Sequence, residues 1–174
     1  MHYSEYGLLT FSEYYNKGMN INWYPGHMAK TRRLILENLK IVDIVVELVD
    51  SRIPNSSRNP DVDEITLGKP RVIVLNKCDM SDASATEKWI EHYKSTGISA
   101  VAVDSISGKG LGQLKAAIDL TLKDKFRRDL EKGMKKRPPK LMIVGIPNVG
   151  KSSFINKLAR SEERRVGKEC RSRW

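Results

Sequence analysis

Cysteine and histidine are scarce in this sequence. Its two cysteines, Cys78 and Cys170, cannot build a disulfide framework, and three histidines leave a poor supply of zinc ligands. That usage fits a reducing compartment. Long apolar runs are missing as well. The most apolar stretch, Ile41 to Val49, is interrupted by Asp43 and Glu47, and the opening MHYSEYGLLTFSEYYNKG has no basic start followed by an apolar segment. Neither a membrane span nor an export signal is predicted, and the expected location is the cytoplasm. Acidic residues are outnumbered: 21 Asp and Glu face 31 Lys and Arg, a formal charge of +10. That balance favours a polyanionic partner, RNA first, over an acidic or neutral one. The 40% hydrophobic and 30% charged residues exclude a chain disordered throughout, and 174 residues suffice for one domain with its own core.

The basic excess is localised. Residues 41–122 hold nine basic and twelve acidic residues, whereas residues 123–140 (KDKFRRDLEKGMKKRPPK) hold nine basic and three acidic. The latter stretch continues a helix and ends at Gly133 and Pro138-Pro139, which break it. Residues 19–40 add a second patch of four basic residues against one acidic, with Lys30, Arg32 and Arg33 on a predicted helix. Strands are predicted at Ile44–Val49, Val72–Leu75, Ala100–Val103 and Leu141–Val144, each rich in β-branched residues and bounded by polar or turn residues. Helices are predicted at Ala29–Lys40, Asp61–Leu67, Ala83–Ser95, Leu111–Leu130 and Lys151–Ala159. Alternation of strand and helix implies a parallel sheet covered on both faces, with ligands beyond the carboxyl ends of the strands. The residues just after each strand therefore carry the functional information.

After Leu141–Val144 comes Gly145-Ile146-Pro147-Asn148-Val149-Gly150-Lys151-Ser152, a full match to the phosphate-loop pattern G-x-x-x-x-G-K-[ST]. Glycines at its ends let successive N–H groups of the loop turn inward on an anion, and the following helix presents its positive end. Lys151 would reach the terminal phosphates, Ser152 would ligate Mg²⁺, and Ser153 adds a candidate phosphate contact. A glycine turn with an exposed lysine is the bland alternative, and the strand before and helix after argue against it.

After Val72–Leu75 comes Asn76-Lys77-Cys78-Asp79. In this order the carboxylate of Asp79 can accept from both the ring N–H and the amino group of guanine, a donor pair that adenine does not offer. Asn76 can tie this loop to the phosphate loop, and the Lys77 stem can cover the base. Alone such a box is weak; beside a phosphate loop it addresses the other end of the same nucleotide. After Ala100–Val103 comes Asp104-Ser105-Ile106-Ser107-Gly108, where backbone N–H groups near Ser105 are candidates for the guanine carbonyl. By itself that segment is an ordinary turn.

These motifs resemble those of the translation-factor-like GTPases in permuted order, the base box preceding the phosphate loop. Permutation is tolerated because the termini of a compact domain often lie close together. With Trp23-Tyr24-Pro25-Gly26-His27-Met28-Ala29-Lys30 and Glu47-Leu48-Val49-Asp50-Ser51-Arg52-Ile53-Pro54, the chain from about residue 19 to 160 resembles the circularly permuted ribosome-biogenesis GTPases. The resemblance implies a three-layer Ras-like α/β fold, a P-loop GTPase with a mostly parallel sheet, and GTP hydrolysis to GDP in late assembly of the large ribosomal subunit. The implied partners are the precursor of that subunit and its rRNA, met by a monomer with no membrane role. Mg²⁺ and possible K⁺ are the implied ions, K⁺ at Asn148, and His27 is the implied substitute for a water-positioning glutamine. The alternative is a basic rRNA-binding module whose nucleotide site is hydrolytically inert; an ATP-using phosphotransferase is disfavoured by the base box.

The chain also departs from that family. After Ser152 it has no aspartate, so the switch threonine, the Asp-x-x-Gly segment and two further strands do not follow. The expected domain is therefore incomplete at its C-terminal side, a four-stranded sheet with an edge and an apolar face uncovered. Residues 161–174 (SEERRVGKECRSRW) lack helix or strand periodicity and read as foreign to the family. Residues 1–18 read as a disordered or over-extended start before a partial G domain at 19–160.

Overall fold

The structure, a computed structural model, describes residues 9–10 and 35–171 apart from residues 60, 67 and 136. Four runs of β-branched residues make the strands β2 (Ile44–Asp50), β3 (Arg71–Asn76), β4 (Ser99–Val103) and β5 (Leu141–Val144), each within a residue of the sequence reading. A fifth, β1 (Leu9–Thr10), pairs with β5, so the sheet has five strands in the order β1-β5-β2-β3-β4. Every pairing is parallel. The sequence reading expected four strands and left residues 1–18 outside the domain. The open edge of β5 supplies the physical reason for the difference, since its unpaired N–H and C=O groups accept even a two-residue partner.

Helices cover both faces. They are α1 (35–39), α2 (Asp61–Ile65), α3 (Ala83–Ser95), α4 (Leu111–Glu131) and α5 (Lys151–Arg171). Alternate residues of β2 divide the core: Ile44, Val46 and Leu48 join Leu114, Ile118 and Leu122 of α4 and Phe154 and Leu158 of α5. On the other face Val45 packs with Leu39 and Val62, while Val49 packs with Tyr93 of α3. The uncovered apolar face expected from the sequence is thus absent among the described residues. β2 reads as a continuous buried run because it is central in a sheet covered on both faces. Its one charged interior residue, Glu47, is matched by Arg58 Nε at 3.2 Å and Arg71 Nη1 at 3.3 Å. Burial pushes the Glu47 carboxyl up against the pull of Arg58.

Helix ends follow local chemistry. Asp82 caps α3 by accepting from the N–H of Ala85 at 2.7 Å. α4 stops at Gly133, whose φ of 78° lets the N–H of Met134 return to the Asp129 carbonyl at 3.0 Å. α5 corrects the sequence reading, which ended it at Ala159 and saw no helical pattern beyond Ser161: the helix runs to Arg171. The tail holds Glu, Arg and Lys, which favour helix, and extending a formed helix costs far less than nucleating one. An apolar stripe is not needed for that. No described helix is long and apolar enough to cross a membrane.

Candidate nucleotide-binding site

Register places the ends of the central strands side by side. Asp50 pairs with Asn76, and Asn76 with Val103, at the carboxyl ends of β2, β3 and β4. β5 leads from the same end of the sheet into the loop Gly145–Gly150. Close approach dictates its glycines. A Cβ on Gly145 would lie 2.6 Å from the Leu48 carbonyl oxygen of β2, and one on Gly150, at φ 92°, would lie 2.6 Å from Asn76 Nδ2.

Asn76 knits the loops together. It is 1% exposed, its Nδ2 donates to the Val149 carbonyl at 2.7 Å, and its Oδ1 accepts from Ser105 Oγ at 2.5 Å. The Val149 side chain is itself buried in the core beneath the loop. Lys77 makes the second link, with Nζ donating to the Asn148 carbonyl at 2.8 Å and to Asp50 Oδ2 at 3.0 Å. Lys77 (φ 61°) and Asn148 (φ 65°) are the non-glycine residues with positive φ among the described residues. Each such backbone is strained by about 1–2 kcal/mol, and here one hydrogen bond joins the two. The loops expected to address two ends of one ligand are therefore in direct contact.

The groups offered to a ligand lie around that contact. Ser152 and Ser153 are exposed on the first turn of α5, where N–H groups lack helical partners and the dipole is positive. Lys151 is half-buried, which lowers its ammonium pKa, and Nζ donates to the carbonyls of Gly145 at 2.9 Å and Ile146 at 2.7 Å. A phosphate oxygen would have to replace those carbonyls. Asp79 is exposed on the 3₁₀ turn Cys78–Met80, and Cys78 is half-buried with its thiol pushed up by burial. Asp104 is committed to its own turn, accepting from the N–H groups of Ile106 at 2.7 Å and Ser107 at 3.1 Å. The Ser107 hydrogen bond, against burial, holds its carboxyl below the usual range. The Asn148 side chain, expected to hold K⁺, is exposed, and no cluster of metal-ligating side chains occurs among the described residues. His27 lies outside the described residues.

Sequence reasoning quoted Asp50 and Arg52 within Glu47–Pro54 but gave them no role at the site. Arg52 chelates the Asp50 carboxylate through Nε at 2.9 Å and Nη2 at 2.7 Å, and Ser57 Oγ accepts from the Asp50 N–H at 2.8 Å. Arg52, opposed by burial and helped by Lys77, holds the Asp50 carboxyl well below the carboxylate range. The signal was available, since Asp50 ends a strand pointing at the site. A depression of about 490 Å³ lined by Asp63, Lys69, Arg71, Ser99 and Thr121 opens at the amino ends of β3 and β4. It is on the opposite end of the sheet from these loops.

A parallel sheet, a glycine-tipped loop running into a helix, and the Asn76–Asp79 loop bonded to it define a P-loop fold of the α/β class. A family model described as 50S ribosome-binding GTPase matches residues 140–170. Over 150 residues the chain is 52% identical to Ribosome biogenesis GTPase A of Priestia megaterium, covering 86% of this chain and 52% of that protein. It is 36% identical over 152 residues to Mitochondrial ribosome-associated GTPase 1 of Mus musculus, covering 86% and 45%. The structure of GNP-bound YlqF from T. maritima superposes with a TM-score of 0.56 at 32% identity, over 74% of this chain and 47% of that one. Over most of its length the chain is similar to the ribosome biogenesis GTPase A proteins, and it spans about half the length of the curated relatives it matches.

Proposed function

We propose that this chain binds GTP and GDP and, as part of a GTPase, hydrolyses GTP in the assembly of the large ribosomal subunit. The observation that carries the reading is the contact between the base box and the phosphate loop, Asn76 to Val149 and Lys77 to Asn148. Asp79 reads the guanine edge, with backbone N–H groups near Ser105 toward its carbonyl. Backbone N–H groups between Gly145 and Ser153, Pro147 excepted, and the Lys151 ammonium hold the phosphates. Ser152 would supply one hydroxyl to Mg²⁺, and that ion when bound would offset charge developing on the transferred phosphoryl group. Asn148 is the candidate K⁺ ligand and His27 the candidate to orient the attacking water.

The partner is the subunit precursor, through its rRNA, and the setting is the cytoplasm, with the chain acting as a monomer. Supporting this is the basic stretch 123–140: Lys123, Arg128, Lys132 and Lys135 are exposed there, while Asp43 takes Lys125 and Arg137. Phosphate contacts of this kind make binding salt-dependent. The G-domain portion expected at 19–160 belongs to the same proposal, extended by β1, which adds Leu9–Thr10 to its sheet, and by α5, which continues to Arg171. The test is competition for a fluorescent GDP bound to the 174-residue chain. GTP displaces it and ATP at the same concentration does not; equal displacement by ATP refutes the assignment.

A further inference from the structure

Asp50 lies outside the phosphate loop and the base box, yet it is the most heavily bonded carboxylate at that end of the sheet. It is 4% exposed, and Oδ2 receives both Arg52 Nη2 at 2.7 Å and Lys77 Nζ at 3.0 Å. We propose that Asp50 is a positioning residue of the nucleotide site: it holds the Lys77 ammonium against the Asn148 carbonyl and so fixes the base box relative to the phosphate loop before nucleotide arrives. This rests on the guanine-nucleotide reading above.

The chemistry of lysine makes such an anchor necessary. A lysine stem has four rotatable carbons, and immobilising it costs about 2 kcal/mol of rotamer freedom. Lys77 is only partly buried, so a neutral carbonyl competes with water for its ammonium. A carboxylate is the stronger acceptor, its hydrogen bonds with a charged donor being roughly twice as strong as neutral ones. Asp50 is suited to the task because it does not move. Arg52 grips both carboxylate oxygens, the Arg52 N–H donates to Oδ1 at 3.1 Å, and Ser57 holds the Asp50 backbone N–H. A rigid acceptor steers a flexible donor.

The strained backbones point the same way. Lys77 and Asn148 both sit in the left-handed region, and the bond that Asp50 supports is the one that joins them. Two cations on one carboxylate also leave this corner positive, which favours a polyphosphate. Removing Asp50 therefore leaves attraction to the ligand intact and loosens the grip after it binds. The loss belongs in the dissociation rate.

Stopped-flow dissociation of methylanthraniloyl-GDP from the 174-residue chain tests this, with Asp50→Ala, Lys77→Ala and the double variant. Asp50→Ala is expected to speed dissociation roughly tenfold with the association rate not reduced, and the double variant to dissociate within about twofold of Lys77→Ala alone. Losses that multiply in the double variant would show that Asp50 acts independently of Lys77 and overturn the proposal. So would an Asp50→Ala rate within twofold of the parent. Should Asp50→Ala melt before the assay temperature, Asp50→Asn, which keeps the shape and drops the charge, is read in the same cycle by the same criteria. A parent chain that fails to bind the probe at all refutes the nucleotide reading itself and this inference with it.

Discussion

Asn76 is the side chain on which the contact between loops most depends, and replacing it by alanine has a calculable cost. The substitution deletes two buried hydrogen bonds, Nδ2 to the Val149 carbonyl at 2.7 Å and Ser105 Oγ to Oδ1 at 2.5 Å. Each contributes about 1 kcal/mol net, and a partner left buried without a substitute costs about 1–3 kcal/mol more. The Ser105 hydroxyl can rotate toward another acceptor, whereas the Val149 carbonyl is fixed by the loop. Asn76→Ala should therefore destabilise the fold by about 2–4 kcal/mol. Ser105→Ala, which removes one of the two bonds, should cost about 1–2 kcal/mol. Urea unfolding followed by circular dichroism measures both, with the midpoint shifting and the slope unchanged. An Asn76→Ala loss below about 0.5 kcal/mol, or equal losses in the two variants, would refute the reasoning.

The phosphate loop and the basic connector give two more predictions. Gly150→Ala forces a side chain into φ 92° with its Cβ 2.6 Å from Asn76 Nδ2, so the same urea assay should show a loss of about 2–4 kcal/mol from strain and the displaced bond together. Asp43 is buried at the start of β2 and is bonded by Arg137, Lys125 and the Lys140 N–H. Burial raises its pKa, but the Arg137 and Lys125 hydrogen bonds outweigh that and hold it well below the usual carboxylate range. A depressed folded-state pKa means stability that is present above the unfolded pKa of about 3.9 and lost as pH falls further. Asp43→Asn should accordingly cost about 1–3 kcal/mol at pH 7, discounted because both cations reach solvent. Thermal melts from pH 7 down to pH 2 should show the gap between variant and parent closing only below about pH 4; a gap that is constant across the range would contradict this.

Much of this fold is written locally. Runs such as Val72–Leu75 announce themselves as strands because β-branched residues are bounded by Pro70 and the Asn76 box, and Gly133 marks the end of α4 where its backbone φ is positive. The two loops were legible because glycine, lysine, asparagine and aspartate at fixed spacing satisfy specific chemical demands. What escaped was set at a distance. β1 is two residues long and exists through the free edge of β5, for which no local pattern speaks. α5 outruns its apolar stripe because propagation needs none. Lys77 carries a left-handed backbone that lysine does not favour, and its side chain is held by Asp50 at the end of β2 and by Asn148 in the phosphate loop, 27 and 71 residues away. Asp50, just beyond the predicted strand Ile44–Val49 and quoted only within the segment Glu47–Pro54, was given no role, because its place beside the site comes from register with Asn76.

The central claim, that one guanine nucleotide is gripped at its two ends by these two loops, is tested most directly by calorimetric titration of the parent, Asp79→Asn and Lys151→Ala with GTP, GDP and xanthosine triphosphate. Asp79→Asn should shift preference from guanine to xanthine while keeping the parent's ratio of triphosphate to diphosphate affinity. Lys151→Ala should keep the guanine preference and weaken the triphosphate most. Base preference unchanged in Asp79→Asn, or nucleotide affinity unchanged in Lys151→Ala, would contradict the account.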